Sequence, residues 1–292
     1  MLSLPPGDQL VVTADAVVEG VHLLADDPLD LVARKLLRVN LSDLAAKAAE
    51  PFAYLLTVAW PPRCGWAERE AFAAGLAADQ AEFGVRLIGG DTVSTPGPLI
   101  ASVTAFGRVP AGRMVLRSGA SVGDRLLVSG VIGDGALGLR AARGELTGAH
   151  AEALADRYRL PRPRLGLRDA LRAAASAAAD VSDGLMADAG RVALASGLRA
   201  VVDLDRLPLS DGARAWLEGR EPAAALADLA TGGDDYEIVC AAAPDSAADL
   251  IQRAADAGLP LTHVGVLETG EGVEARWRGR PLPLQETGWR HG

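Results

Sequence analysis

The sequence predicts an α/β (α+β) protein of two domains. Two observations carry that prediction. Short runs of β-forming apolar residues alternate with longer segments whose apolar residues recur at helical spacing. A Pro/Gly passage, Pro110-Ala111-Gly112-Arg113, separates two such patterned halves and divides the chain into residues 1–112 and 113–292. With 292 residues, 49% of them hydrophobic, the chain can bury two cores.

Residues 9–20 read as a strand bent around Thr13–Asp15, with Leu10, Val11, Val12, Val17 and Val18 as its apolar members. From Pro28 to Ala49, residues Leu29, Val32, Ala33, Leu36 and Leu37 follow a helical period, with Asp27 as the expected N-cap. Continuous apolarity and β-formers predict a buried strand over 52–60, stopped by Pro61-Pro62. A helix is expected over 66–82, then strands over 85–90 and 99–109. In the second half the pattern gives strand 125–129, helices near 133–143, 166–176 and 185–195, and strand 199–204. A helical region at 211–229, strand 236–242, helix 245–257 and strand 261–267 complete it.

Composition excludes several classes. A net charge of −9 argues against nucleic acid as a partner. The two cysteines, Cys64 and Cys240, lie far apart, as expected of reduced thiols, and histidines at 22, 150, 263 and 291 give no zinc spacing. The N-terminus lacks the basic and apolar regions of a secretory leader. No run reaches the roughly 18 apolar residues of a membrane span, so the expectation is a soluble, cytoplasmic protein without a membrane partner.

The chemistry concentrates in five acidic motifs where an apolar run gives way to small or polar residues. They are Val11-Val12-Thr13-Ala14-Asp15, Val39-Asn40-Leu41-Ser42-Asp43, Leu87-Ile88-Gly89-Gly90-Asp91, Ala179-Asp180-Val181-Ser182-Asp183-Gly184 and Thr231-Gly232-Gly233-Asp234-Asp235-Tyr236-Glu237. Aspartates at strand ends leave the sheet and converge on a crevice. Two converging carboxylates about 5 Å apart repel by roughly 3 kcal/mol at an effective dielectric near 20. Such a cluster needs protons or cations, and hard oxygen ligands select Mg²⁺, which commonly sits beside substrate phosphates. Lys35 and Lys47 are the sole lysines, and neither follows a glycine-rich loop of the P-loop kind. The protein-kinase motif set and the nucleophile elbow of serine hydrolases are missing too. Positive charge for a phosphate must then come from metal and arginine, with Arg117 a candidate for its planar fork. His22 and the Gly-Gly-Asp turn each have an ordinary structural reading, so the repetition of the pattern carries the inference.

Taken in order, these stretches resemble the thiamine-monophosphate kinase family, part of a fold superfamily with aminoimidazole-ribonucleotide synthetase and selenophosphate synthetase. The stretches Val12 to His22, Val39 to Ala46, Ile88 to Thr92, Gly112 to Ala120, Asp180 to Leu185 and Gly232 to Glu237 carry the resemblance. It implies ATP-dependent phosphorylation of thiamine monophosphate to the diphosphate by a homodimer. It further implies that Thr13, Ala14, Asp15, Asp43, Asp91, Asp180 and Asp183 hold Mg²⁺, the Ala14 contribution being its carbonyl. Gly90, Asp91, Arg117 and Ser182 are implied to meet ATP, and His22, Asp234 and Trp289 the thiamine side. The acceptor phosphate is already ionised near neutral pH, so no catalytic base is named.

Three departures from the family pattern stand out. A Gly-Asp-Asp-Ala element that the family carries before its first long hairpin has no counterpart, and Gly7-Asp8-Gln9 reads as a turn into the first strand. The expectation is either a longer natural protein or one lacking a metal-binding corner. Ala14 replaces the usual Thr, and Asp234 stands where many relatives have Glu. Two other readings stay open. One is a related ATP-dependent synthetase, although no cysteine precedes Cys64 as a selenophosphate-type enzyme would require. The other is a homologue that binds nucleotide or thiamine phosphate without turnover.

Overall fold

The computed structural model describes residues 2–289, whose strands form two sheets sharing one buried helix. Strands β1 (Asp8–Val18), β2 (Glu50–Trp60), β3 (Arg86–Ser94) and β4 (Ile100–Pro110) form the first sheet, in the order β1-β4-β2-β3. β4 is antiparallel to both β1 and β2, and β3 runs parallel to β2 at the edge. Side-chain alternation gives this sheet two different faces. Val11, Val17, Ala101, Val103, Tyr54 and Val58 point inward to a core shared with helices α1 (Leu29–Ala46) and α2 (Trp66–Phe83). Leu10, Val12, Leu55 and Ile100 point outward and are exposed.

The second sheet contains β5 (Arg125–Ser129), β6 (Ala177–Val181), β7 (Arg199–Asp203), β8 (Glu237–Ala242), β9 (Leu261–Glu268), β10 (Gly272–Trp277) and β11 (Arg280–Leu282). Their order is β11-β10-β7-β9-β5-β8-β6, antiparallel except where β10 meets β7. Both faces of this sheet are covered, which explains the unbroken apolar runs of its strands. Leu126, Val128, Val239 and Ala241 pack on one side with α6 (Leu185–Ala195) and α8 (Pro222–Thr231). Leu127, Ile238, Cys240 and Ala242 pack on the other with α5 (Arg168–Ala174) and α9 (Pro244–Asp256). Ala45 and Ala46, at the end of α1, belong to that last cluster. From Lys35 to Ala46 every residue of α1 is buried except Asp43, because the helix is enclosed by both halves. The remaining helices are α3 (Asp134–Ala142), α4 (Ala151–Arg159) and α7 (Asp211–Leu217). No described helix is long and apolar enough to cross a membrane.

Several expectations need correction. Asp27 does not cap α1: its carboxylate accepts the Leu24 N–H at 2.8 Å and Arg159 at 2.7 Å, and Pro28 stands at the cap without a side-chain bond. β3 does not end at Gly90 as expected but runs on to Ser94, and all nine of its residues are exposed. Helix α4 escaped notice because its sequence, Ala-Glu-Ala-Leu-Ala-Asp-Arg-Tyr-Arg, has only Leu154 and Tyr158 as large apolar residues among four charges. The hairpin β10–β11 escaped because its apolar residues are few and separated by charges. The turn expected at Gly7-Asp8-Gln9 lies earlier, at Pro6-Gly7: Gly7 has φ +88° and the Asp8 N–H donates to the Pro5 carbonyl at 3.2 Å, but Asp8 and Gln9 already belong to β1.

A buried ion pair ties α1 to α2. Arg38 grips Asp79 through Nε and Nη2 at 2.7 and 2.9 Å, Arg34 adds a third bond, and Arg38 also donates to the Pro161 carbonyl of the second half at 3.0 Å. Removing Asp79 leaves the buried Arg38 with only the half-exposed Glu82, at 2.6 Å, as its ionic partner. Asp79→Ala is therefore expected to cost about 3–5 kcal/mol in urea unfolding, whereas exposed Asp249→Ala, which loses only a surface helix pair, should cost below about 1 kcal/mol.

Candidate active site

A cleft of about 950 Å³ opens between the halves, and most of the residues expected at a site line it. Asp15 enters from β1, Asp43 from α1, Asp180 from β6, and Ser182 and Asp183 from the turn after β6. His22, Arg117, Asp234 and Trp289 line it as well. The strand-end grammar is only partly realised: Asp15 lies within a strand and Asp43 within a helix. What they share is a common destination.

Local bonds hold each acid in place. Asn40 reaches across from α1, so that its Oδ1 accepts the Asp15 N–H at 3.0 Å while its Nδ2 donates to the Leu36 carbonyl at 2.9 Å. The Thr13 hydroxyl donates to Asp43 Oδ2 at 2.5 Å, joining the same two elements. Thr13 thus sits behind Asp43 rather than on the cleft wall. Period-two alternation turns Ala14 to the outer face, leaving only its backbone available.

Asp180 is the strained member. Burial raises its pKa well above the carboxylate range, and Asp43, Asp188 and Asp15 push in the same direction. The buried Ser42 hydroxyl beside it offsets a little, yet by geometry makes no full hydrogen bond. Asp183 is ion-paired to Arg191, which also grips Asp188. Asp188 in turn accepts the N–H groups of Ser182 and Asp183 at 3.0 and 3.1 Å, fixing the turn, and burial pushes its carboxyl up to about 6. Among the described residues no three acidic, histidine or cysteine side chains already form a shell able to hold a metal ion. Asp43 and Asp180 instead line a common space with Asp15, and both neighbours raise the Asp180 pKa further.

The opposite wall is a second construction. The Asp234 N–H donates to Ser182 O and the Tyr236 N–H to Val181 O, both at 2.8 Å, which zips this loop onto the Asp183 turn. The tail closes over the same turn: Trp289 N–H donates to Asp183 O at 2.9 Å, and a Cβ on Gly288 would fall 2.4 Å from that oxygen. His22 lies in a tight turn after β1, where its Nδ1 accepts the Val18 N–H at 3.1 Å. A backbone N–H can only donate, so a neutral ring carries its proton on Nε2.

Gly90 and Asp91 do not join this group within one chain. Register places Asp15, Val103, Leu56 and Gly90 in one row across the sheet, and Ala16, Ser102, Thr57 and Asp91 in the next. Asp91 is therefore roughly 14 Å away, at three strand spacings, and on the opposite face from Asp15. Gly90 meets a separate demand, because a Cβ there would lie 1.7 Å from the Leu56 carbonyl oxygen.

Among the groups that sequence reasoning missed, Lys35, Arg191 and Tyr236 line the cleft and Lys47 lies beside it. Lys35 and Val39 line the cleft with Asp43, at spacings of four and eight along α1, a helical stripe that could have revealed the lysine. Lys47 donates to Ala178 O at 3.1 Å, and burial, then Arg117, push its ammonium down to about 8. Arg191 and Tyr236 complete the set.

The description "AIR synthase related protein, N-terminal domain" matches residues 1–109, and "AIR synthase related protein, C-terminal domain" matches 121–278. Thiamine-monophosphate kinase of Caulobacter vibrioides is 56% identical over 98% of this chain and 82% of its own length. The Escherichia coli K12 counterpart is 38% identical over 100% of this chain and 89% of its own. Among solved structures, the Stenotrophomonas maltophilia thiamine-monophosphate kinase superposes with a TM-score of 0.86 at 41% identity, covering 94% of this chain and 87% of the other. AaThiL complexed with AMPPCP and TMP also superposes at 0.86, with 28% identity over 99% of this chain and 89% of that one.

Because Asp180 is buried among like charges, Asp180→Asn should stabilise the metal-free protein by about 1 kcal/mol or more. That gain corresponds to roughly 2–4 °C in melting temperature for a protein near this size. Differential scanning fluorimetry in a chelator would measure it, and an unchanged or lowered midpoint would contradict the assigned repulsion.

Proposed function

The chain belongs to the thiamine-monophosphate kinase family of AIR synthase related proteins, and we infer that it transfers the γ-phosphoryl group of ATP to thiamine monophosphate. One observation supports this best: carboxylates from a strand, a helix and a second sheet line one cleft whose far wall carries His22 and Asp234. We take residues 1–112 and 113–292 as its two domains, meeting at that cleft.

Phosphoryl transfer demands alignment and charge neutralisation more than covalent help from the protein. Asp15, Asp43, Asp180 and Asp183, with the Ala14 carbonyl, are the groups that would hold Mg²⁺, while Thr13 orients Asp43 from behind through its hydroxyl. Their hard oxygens and the crowding of charge around Asp180 suit a small divalent cation. Bound Mg²⁺ supplies neutralisation of the phosphate oxygens. The chain supplies the rest. Arg117, beside Lys47 and Asp180, offers a forked cation to a nucleotide phosphate, and Ser182 a hydroxyl in the turn fixed by Asp188. His22 offers its Nε2–H, and Trp289 a ring face of the kind on which a flat heterocycle stacks.

Gly90 and Asp91 enter this reading through a second copy. The cleft wraps around the β1 edge as far as Ala16, on the outer face of the first sheet. That face presents Leu10, Val12, Leu55 and Ile100 to solvent, an apolar patch of the kind that marks an interface. A homodimer packed there would carry the partner's Asp91 toward the cleft mouth.

Two measurements test the reading. ADP release should require Mg²⁺ and thiamine monophosphate together and should not occur with thiamine. No turnover at saturating concentrations of all three would refute the kinase assignment. Asp91→Ala and Asp180→Ala should each be nearly inactive, yet mixing and re-equilibrating the two should restore up to about a quarter of parental activity, because one hybrid site draws an intact residue from each subunit. Failure of the mixture to recover would place Asp91 outside a shared site.

A further inference from the structure

We propose that Lys35 is a positioning residue that assembles the thiamine end of the cleft, an inference that rests on the kinase reading above. Its ammonium is enclosed, with the side chain only 4% exposed, and it meets three groups. Nζ donates to the His22 carbonyl at 3.1 Å and to Asp234 Oδ2 at 3.3 Å, and it sits 3.5 Å from the centre of the Tyr158 ring. Tyr158 donates its hydroxyl to the same His22 carbonyl at 3.2 Å.

The arrangement spans both halves of the molecule. His22 belongs to the turn after β1, Asp234 to the loop before β8, and Tyr158 to α4. Lys35 projects from α1 one turn before Val39 and two before Asp43, so the helix that supplies a carboxylate to the phosphate end also orients the opposite end. Asp234 has an additional reason to need a partner. Its backbone is left-handed at φ +69°, and its Oδ1 accepts the Tyr236 hydroxyl at 3.2 Å, leaving Oδ2 to the ammonium. With both oxygens held, the carboxylate has one orientation. Burial lowers the ammonium's pKa, and Asp234 beside it offsets part of that shift. A desolvated cation between a carboxylate, a carbonyl and an aromatic face is held without solvent competition.

Lys35 thereby acts on substrate through His22 and Asp234, and its loss must appear in recognition of thiamine monophosphate rather than of ATP. Lys35→Met should raise KM for thiamine monophosphate at least tenfold while KM for ATP stays within twofold. Asp234→Asn should do the same alone, but add less than twofold in the Lys35→Met background, because both changes remove one arrangement. Lys35→Ala should recover part of the lost affinity in millimolar ethylammonium, a rescue that a purely structural lysine would not show. Lys35→Gln, which keeps a donor for the His22 carbonyl, serves if the methionine variant does not fold, with the same KM split expected.

An unchanged KM for thiamine monophosphate, equal rises in both KM values, or full additivity with Asp234→Asn would overturn the assignment. Those outcomes differ from failure of the kinase reading itself, in which the parental protein would release no ADP with thiamine monophosphate.

Discussion

Burying a carboxylate among other carboxylates is the constraint around which this molecule is organised. Asp180 is the penultimate residue of an otherwise apolar strand, where water cannot dissipate its charge and Asp43 of α1 repels it. Such a group costs stability in the absence of a cation, and the surrounding structure does little to remove that cost. Ser42 is left without a full hydrogen bond, and Lys47 turns its ammonium to the Ala178 carbonyl instead of forming an ion pair with Asp180. Under the Mg²⁺ chemistry proposed above, acids left open in this way stay available to a metal and the phosphates it would carry.

The contrast with the other buried charges supports that view. Glu237, fully buried, accepts Arg157 at 2.7 Å, the Ser129 hydroxyl at 2.6 Å and Arg164 as well. Neighbouring Asp235 accepts the N–H groups of Gly133 and Gly135 at 2.8 and 2.9 Å, which pins the start of α3 against the Asp234 loop. Both of its oxygens face groups that can only donate, so despite burial, which pushes its pKa up toward about 8, the geometry favours the ionised form. In the stretch Asp234-Asp235-Tyr236-Glu237 the acids therefore divide by partner: 235 and 237 are closed off inside the second half, and 234 faces the cleft. Closed pairs fix a framework, and the open acids inherit their positions from it.

How much of this was legible in the chain depends on which forces acted locally. Helices α1, α2, α6 and α9 and the strands of the second core follow from apolar period and β-former runs, because packing against one or two faces writes itself into local sequence. Acidic motifs announced Asp15, Asp43, Asp180 and Asp234 by their repeated context. The sequence could not place Asp91 on the far face, because sheet order and register are long-range properties that no local pattern encodes. Lys35 went unnoticed for a related reason: its partners are thirteen residues away at His22 and 199 away at Asp234, and neither separation leaves a periodic trace. Asp27 misled because Asp-Pro before a helix is ordinary capping language, yet Arg159 from the second half claims its carboxylate.

The first sheet brings the remaining consequence into view. β3 is an edge strand exposed along its whole length, and it carries Leu87, Ile88 and Val93 beside Asp91. An open apolar edge invites pairing with another chain, and soluble proteins usually blunt it with a lysine, a proline or a bulge toward solvent. None of β3's nine residues is lysine or proline, and its one register irregularity lies near its start, between Tyr54 and Leu55 of β2. Gly89 and Gly90 keep the strand slim where it passes β2 and leave the backbone close to whatever packs on it. The strand thus combines an unprotected apolar surface with a carboxylate separated from its own cleft by two strands, β2 and β4. Both features would lose their cost in the homodimer proposed above, whose packing on the outer face would cover Val93 and give the neighbouring Asp91 somewhere to act.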